Sequence, residues 1–386
     1  MPTYLSPGVY VEEVSSGSAP IVGAGTSVAG FIAIITPNGA TPQAETKVSS
    51  GEIKLITNFT EFKQNFGDFT KDNQGQNIFA HGVYGFFRNG GTRAYVTWVS
   101  DADGVDGVLN DFEAIDEISI VVAPGQTDPN IISKIKDHAA KMGDRIAILD
   151  SKSDKNLGLG LSEKNAKGED ESLLPGVTSY AAFYFPWIEV YDPATKTNIF
   201  VPPSGHIAGV YARVDGERGV HKAPANVPLL GALDLQFNIS KAKQDGLNPQ
   251  GVNVIRKLNG NILVWGARTL GGDANGEFKY VNVRRHFCYL KDSIDKGTQW
   301  VVFEPNTPEL WAKIRRNISA FLTLEWRKGA LFGTTPQEAF YVKCDAENNP
   351  PALRDLGQVV IEIGVAVVKP AEFVIFRLSQ WSGTKE

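Results

Sequence analysis

The chain has 386 residues, of which 42% are hydrophobic and 21% charged, and it is long enough for two globular domains. Its net charge of −5 argues against nucleic acid as the main partner, since phosphate-binding proteins usually carry a basic excess. The sequence has neither an apolar run of about 18 residues nor a secretion signal, so we expect cytoplasmic synthesis and no membrane span. Cys288 and Cys344 are too few for a disulfide framework.

Residues 1–22 are predicted to form an extended arm. Pro2 and Pro7 disfavour a helix, and residues 9–14 show a short strand pattern followed by a flexible connector. A strand this short does not fold alone. The arm is therefore either a frayed terminus or a strand donated to the sheet of another molecule.

Residues 26–150 alternate between strand and helix patterns. Strands are predicted at residues 27–35, 93–99, 118–122 and 145–149, and helices at residues 60–66, 77–88, 107–115 and 129–142. Strands separated by helices of this length are typical of βαβ units, so a mainly parallel sheet is expected.

The middle of the chain is less regular. Residues 151–178 are polar and predict a surface loop. Residues 180–191 predict a long strand that is bent or at an edge, because it contains Pro186. Ser204 is predicted to cap a helix that ends near Arg213. Shorter strands are predicted at residues 198–201, 231–237 and 262–265.

The last domain is predicted to begin near Tyr280, with a helix at residues 281–294 and a strand at residues 300–303. Thr307 is predicted to cap a longer helix, with Pro308 at its first position and Gly329 after its end. Its apolar stripe comprises Trp311, Ile314, Ile318, Phe321 and Leu322, and its opposite side carries Lys313, Arg316 and Arg327. That basic side is either a solvated face or a contact for an acidic partner.

The final segment contains two extended runs. At residues 359–367 every second residue is Val or Ile, which indicates a strand with one apolar face. Pro370 interrupts this run, and residues 372–378 form another. An unpaired apolar strand is an aggregation hazard in a monomer. It therefore lies within its own sheet or is completed by another copy.

Motifs for catalysis or cofactor binding are incomplete. Residues 23–28 begin like a dinucleotide-binding loop but lack its third glycine, and residues 246–251 have a phosphate-loop frame with Val252 in place of the lysine. The five histidines show no metal-binding spacing, and Ser204 and His206 lie outside any nucleophile-elbow motif. No catalytic, cofactor-binding or metal residue is predicted.

Residues 363–374 (IGVAVVKPAEFV) resemble the C-terminal signature of contractile tail sheath proteins, which coat the tails of contractile phages, R-type bacteriocins and phage-tail-like injection systems. Further blocks that resemble this family, in family order, are residues 6–13 (SPGVYVEE), 218–226 (RGVHKAPAN), 280–285 (YVNVRR) and 299–306 (QWVVFEPN). Residues 101–210 match only loosely.

The resemblance implies that the chain is a subunit of a larger assembly and has an α/β fold. It comprises an N-terminal extended arm at residues 1–22 and a mainly parallel, subtilisin-like but non-catalytic outer domain at 23–279, with its surface loop at 151–178. An α+β domain at residues 280–371 then faces an inner tube, and an extended arm follows at 372–386.

The implied function is structural and requires no cofactor. Copies polymerise helically around the tube and contract to drive it through a target membrane, within a phage tail or a phage-tail-like particle that the cell can release. The implied partners are further copies, the tube protein, and the baseplate and terminal cap proteins, with no nucleic acid and no direct membrane insertion. The tube contact is predicted at Lys313, Arg316 and Arg327, and the donated arm strands at Val9, Tyr10, Val11, Phe373, Val374, Ile375 and Phe376.

Two alternatives stay open. The first is an α/β hydrolase or nucleotide-binding enzyme with a β-rich appendage. The second is a tube or baseplate protein, although tube proteins are shorter and lack an α/β half. The sequence does not distinguish a phage from a bacteriocin or an injection system, or a bulk sheath subunit from a minor paralogue.

Overall fold

The computed structural model describes residues 20–36, 47–153 and 174–378. It also describes residues 162–164 and 170–172, but only their backbone. The predicted arm strand Val9, Tyr10 and Val11 lies outside the described residues. The described chain forms two compact units. One comprises residues 20–24 and 290–366, and the other comprises residues 25–289 and 367–378.

The strands of the described chain are β1 Ala29–Ile34, β2 Lys54–Ile56, β3 Ala94–Val99, β4 Ile120–Val122, β5 Ile146–Asp150, β6 Ser162–Lys164, β7 Asp170–Ser172, β8 Ala181–Phe185, β9 Ile188–Asp192, β10 Thr197–Val201, β11 Val227–Pro228, β12 Asp234–Leu235, β13 Val252–Leu258, β14 Asn261–Val264, β15 Phe340–Lys343 and β16 Glu362–Val365. The helices are α1 Phe59–Phe66, α2 Gln74–Arg88, α3 Gly104–Glu113, α4 Pro129–Met142, α5 Ser204–Arg218, α6 Lys241–Leu247, α7 Val281–Thr298, α8 Pro308–Arg327, α9 Pro336–Ala339 and α10 Pro351–Asp355.

The larger unit is organised around a sheet in which nine strands of the described chain are ordered β11-β14-β13-β8-β5-β4-β1-β3-β2. The six consecutive strands from β13 to β3 are parallel to one another. The strands beyond them, β2 on one side and β14 and β11 on the other, pair antiparallel. The predicted mainly parallel α/β architecture is therefore confirmed.

Both faces of this sheet are covered, as a parallel sheet requires. Successive residues of β1 point to opposite sides: Phe31 joins an apolar core with α2 and α5, whereas Ile32 joins a second core with α3 and α4. All five residues of β5 are buried. The polypeptide therefore alternates between strand and helix because each strand must bury both of its faces.

The predicted strand at residues 180–191 is divided into two elements at Pro186. β8 lies between β5 and β13 inside the large sheet, so it is not an edge strand. β9 instead pairs with β10 and β12 in a separate antiparallel sheet. Because proline has no backbone N–H, the ladder is interrupted at this position and the chain changes sheets.

The phosphate-loop frame at residues 246–251 has the wrong structural setting. Residues Asn248–Gln250 form a single 3₁₀ turn, and Val252 begins β13. A phosphate loop instead follows a strand and opens a helix. This frame is therefore a helix-to-strand connection.

In the smaller unit, α8 begins and ends as predicted. The Thr307 hydroxyl accepts a hydrogen bond from the Leu310 N–H at 3.4 Å, and Pro308 is the first helical residue. The predicted strand at residues 300–303 is wrong. Gln299–Val301 is a 3₁₀ turn between α7 and α8, and Phe303 is fully exposed at φ 69°. No described strand pairs with these four residues, so the requirement for a short interhelical connection outweighs their β propensity.

The predicted strand at residues 359–367 is shortened to β16, which pairs antiparallel with β15. The alternating residues at positions 359–367 are only half-buried. Over the described ranges, no helix combines the length and the apolar character needed to cross a bilayer.

Candidate interaction surfaces

Helix α8 has a buried apolar face and an exposed basic face. The buried face includes Ile314, Ile318 and Leu322, each less than 1% exposed. The side chains of Lys313, Arg316 and Arg327 are exposed, and none of the three forms an ion pair with another described residue. The predicted division of the helix into two faces is confirmed.

The two other basic residues at this helix, Arg315 within α8 and Lys328 directly after it, have partners inside the same unit. Arg315 donates a hydrogen bond to the Cys344 carbonyl oxygen. The Lys328 ammonium lies 2.7 Å from the carboxylate of Glu325, whose side chain is buried. Two of the five basic side chains thus stabilise the unit itself, whereas Lys313, Arg316 and Arg327 are available to an external partner.

The two-stranded sheet β15–β16 is a second candidate surface. Its register pairs Phe340 with Val365 and Lys343 with Glu362, and no third strand joins it within the described residues. A two-stranded ribbon is only marginally stable alone, and its outer edges can accept a further strand. This sheet is therefore a candidate acceptor for an extended segment.

The segment that follows β16 is fixed by Glu372. One carboxylate oxygen accepts hydrogen bonds from Arg268 Nε at 2.8 Å and Asn248 Nδ2 at 2.7 Å. The other oxygen accepts from Arg268 Nη2 and from the Tyr280 hydroxyl, both at 2.8 Å. We call these four residues the Glu372 clasp. Its centre is a forked pair between a carboxylate and a guanidinium, which is the strongest geometry for such a pair.

The buried guanidinium of Arg268 and the carboxylate of Glu372 stabilise each other in their charged forms. Arg268 is 3% exposed, and its Nη1 donates further hydrogen bonds to the Asn248 carbonyl and the Asp273 carboxylate, both at 3.1 Å. Burial alone would raise the pKa of Glu372, but the hydrogen bonds from Arg268, Asn248 and Tyr280 outweigh it and hold that pKa below its ordinary value. Glu372 is therefore ionised at neutral pH.

Beyond the clasp, apolar side chains are presented to solvent. Phe373, Val374, Ile375 and Phe376 are 69–83% exposed, and Leu378 is 97% exposed. Residues 373–378 form no strand and make no backbone hydrogen bond with another described residue. We call residues 373–378 the apolar tail. Within the described chain its backbone donors and acceptors have no partner, so they can pair with another polypeptide.

The residues that would form a hydrolase site do not assemble into one. The Ser204 hydroxyl lies 2.5 Å from the Asp150 carboxylate, and no hydrogen bond links it to His206. Burial lowers the pKa of His206 to about 3, and its Nδ1 has no hydrogen-bond partner among the residues that the structure describes. Ser204 was predicted to cap α5 but is its first residue, and its bond to Asp150 fixes the start of α5 to the end of β5.

The clasp was not predicted from the sequence. Glu372 and Tyr280 fall within family-like blocks, although neither was given a role. Arg268 and Asn248 carry no sequence signal, because they approach Glu372 from positions 104 and 124 residues away. The separation of α8 into internal and external cations was likewise beyond the sequence, since it depends on the neighbours of Arg315 and Lys328.

Comparison with known families gives two matches in chain order. Residues 103–270 match the phage tail sheath protein central domain, and residues 273–380 match the phage tail sheath C-terminal domain.

Among curated proteins, the tail sheath protein of Burkholderia phage BcepMu is 23% identical over 336 residues, which are 85% of this chain and 66% of that protein. The tail sheath proteins of Vibrio phage KVP40 and Enterobacteria phage T4 are 29% and 24% identical over 52% and 48% of this chain. The chain covers only 29% and 28% of the length of those two proteins.

Solved structures match over nearly the whole chain. A chain in the cryo-EM structure of the anti-feeding prophage helical sheath in the contracted state is 30% identical, with 98% of this chain and 100% of that chain covered and a TM-score of 0.75. A chain in the contracted sheath complex of PVC, an extracellular contractile injection system, is 27% identical over 98% and 99%, with a TM-score of 0.76. The enzymatic alternatives are set aside, because this family is structural. With both family domains present in order and the sheath fold matched from end to end, the chain belongs to the phage tail sheath protein family and is a structural subunit of a contractile sheath.

Proposed function

We propose that copies of this chain polymerise helically around an inner tube and are linked to each other by donated strands. The observation that carries this proposal is the combination, within the described residues, of an apolar tail without backbone hydrogen bonds and a β15–β16 sheet that no third strand joins. A segment whose backbone groups are unpaired within the described chain is complementary to a sheet edge that can accept another strand. Because both belong to the same polypeptide, repeated head-to-tail pairing between copies generates an open helix.

The proposed domain organisation consists of two globular domains and two arms that link neighbouring copies. Residues 1–22 and 372–386 are the two arms, residues 23–279 form an outer domain of subtilisin-like, non-catalytic fold, and residues 280–371 form the tube-facing domain. The arms keep neighbouring copies connected while their globular parts rotate during contraction. The free energy for driving the tube into a target membrane then resides in the interfaces between subunits.

The proposed tube contact is the basic face of α8. Lys313, Arg316 and Arg327 are exposed and form no ion pair with another described residue, so they can meet an acidic tube surface. Exposed ion pairs contribute only about 0–1 kcal/mol each. Weak contacts of this kind suit a sheath that must release its tube on contraction.

The remaining partners are proposed from similarity. Chains similar to this one occur in the anti-feeding prophage baseplate structure, at 29% identity and a TM-score of 0.76. This supports association with a baseplate at one end of the polymer, and terminal cap proteins are proposed at the other. The likeness to an extracellular contractile injection system supports a particle that acts outside the cell that makes it.

Strand donation is tested by Ile375→Pro, with Ile375→Thr as the matched control. Proline removes a backbone donor that a ladder needs, whereas threonine retains that donor and favours strands. Because residues 373–378 make no backbone hydrogen bond within the described chain, neither change should affect the stability of the free subunit.

The measurement is negative-stain microscopy of the variants co-expressed with the tube protein. We expect striated sheath tubes from Ile375→Thr and unassembled subunits from Ile375→Pro. Normal tubes from Ile375→Pro would refute strand donation by the apolar tail.

A further inference from the structure

The Glu372 clasp lies directly before the apolar tail along the chain. Within the described chain, Glu372 is the last residue whose side chain is held by hydrogen bonds, and Phe373 is already 69% exposed. Four hydrogen bonds meet on one carboxylate, and two of them come from a single buried guanidinium.

The position of the clasp along the chain determines which contacts bear tension. A pull applied at residues 373–378 reaches Glu372 first and β16 only afterwards. β16 pairs with β15 over four residues, so a pull along the chain would open that ladder one pair at a time. The hydrogen bonds of the clasp converge on one side chain and would have to break together.

We propose that the Glu372 clasp is the anchor of the C-terminal arm, which takes up the tension of an engaged neighbour and protects the β15–β16 sheet from being pulled apart. This inference rests on the proposed strand donation, because only an arm held by another copy transmits tension. In this role Glu372 and Arg268 are positioning residues: they hold the root of the arm and do not themselves contact the neighbour.

The chemistry of the clasp predicts which substitutions release it. Glu372→Gln removes the negative charge and leaves Arg268 buried without its main counter-ion. Arg268→Lys keeps a positive charge but cannot donate to both carboxylate oxygens in a forked geometry. Tyr280→Phe removes one donor of four and should give an intermediate effect.

The first test measures the clasp in the unassembled protein. Ala371 is exposed, and the native Cys288 and Cys344 are buried, so Ala371→Cys can carry a selective nitroxide label. Electron paramagnetic resonance should show at least about threefold faster label motion after Glu372→Gln or Arg268→Lys. The matched control is Glu277→Gln, which makes the same chemical change at an exposed carboxylate outside the clasp and should leave the motion unchanged.

Equal label motion in Glu372→Gln and in the parent protein would overturn the anchor. Label motion is measured in the unassembled protein, so it tests whether the clasp immobilises the start of the arm even if strand donation fails.

The second test applies shear to assembled sheaths, which places the C-terminal arm under tension. Sheaths of the Glu372→Gln variant should break into short pieces under shear that leaves parent and Glu277→Gln sheaths intact. If Ile375→Pro abolishes assembly but Glu372→Gln sheaths resist shear as well as the parent, strand donation stands and the anchor is refuted. If Ile375→Pro assembles normally, the proposed linkage fails and the anchor, which rests on it, fails as well.

Discussion

At the scale of single residues, Asp150 shows how burial sets a charge. Its carboxylate accepts hydrogen bonds from the backbone N–H groups of Gly125 at 2.9 Å and Ser204 at 2.8 Å, and from the Ser204 hydroxyl at 2.5 Å. Burial raises the pKa of Asp150 to about 6, although these hydrogen bonds oppose the increase. The carboxylate joins the ends of β4 and β5 to the start of α5.

This raised pKa predicts a pH dependence of stability. Between the unfolded value near 4 and the folded value near 6, the folded state binds more protons than the unfolded state, so the free energy of unfolding falls as pH rises through this window. The decrease attributable to Asp150 should be up to about 3 kcal/mol, since each pKa unit corresponds to about 1.4 kcal/mol.

The measurement is urea unfolding of the unassembled protein from pH 4 to pH 7.5, with Asp150→Asn and the exposed Asp137→Asn compared with the parent. We expect Asp150→Asn to lose this component of the slope and Asp137→Asn to retain it. Identical slopes in the parent and Asp150→Asn would contradict the assignment.

At the scale of elements, α2 and α5 are held close together by glycines. A Cβ atom built on Gly205 would lie 2.3 Å from the carbonyl oxygen of Gly82, and one built on Gly209 would lie 2.3 Å from the carbonyl oxygen of Phe86. Both are contacts with backbone, which cannot move aside as a flexible side chain can. The close approach of these two helices therefore depends on the missing side chains.

Gly209→Ala should destabilise the protein by about 1–3 kcal/mol, because the added methyl group forces the two helices apart. Gly216→Ala is the control on the same helix. Its Cβ would meet nothing within 4 Å, so it should stabilise by about 0.5–1 kcal/mol through helix propensity. Chemical denaturation of both variants measures the difference, and equal stabilities would refute the packing argument.

At the scale of the whole molecule, the distribution of charge matters more than its sum. The chain carries a net charge of −5, yet α8 presents three exposed basic side chains that form no ion pair with any described residue. A weak contact made by one subunit is repeated along a polymer, so small contributions accumulate. This is the physical basis for the proposed grip on the tube.

Reversal of all three charges, Lys313→Glu, Arg316→Glu and Arg327→Glu, should prevent the sheath from coating its tube. The control reverses three other exposed lysines, Lys47, Lys71 and Lys241, and should assemble normally. Co-sedimentation of sheath with tube measures coating, and the parent should lose it as salt rises, because exposed charges are screened. Normal coating by the α8 variant would refute the tube contact.

The sequence by itself determined the elements whose signals are local. The two faces of α8, its Thr307 cap and the helix α4 follow from periodicity and capping within single segments, and the alternation of strands and helices predicted the parallel sheet. These features depend on residues a few positions apart, and their patterns can be read without knowing any distant neighbour.

Only the tertiary structure decided which distant residues meet. It placed β8 and β9 in different sheets, inserted β13 beside β8, and brought Arg268 to Glu372 from 104 positions away. It also showed which basic side chains at α8 have partners within the same unit and which ones are exposed to solvent. Such outcomes depend on pairing and burial between segments remote in the chain, where a residue's own neighbourhood in the sequence carries no signal of its partner.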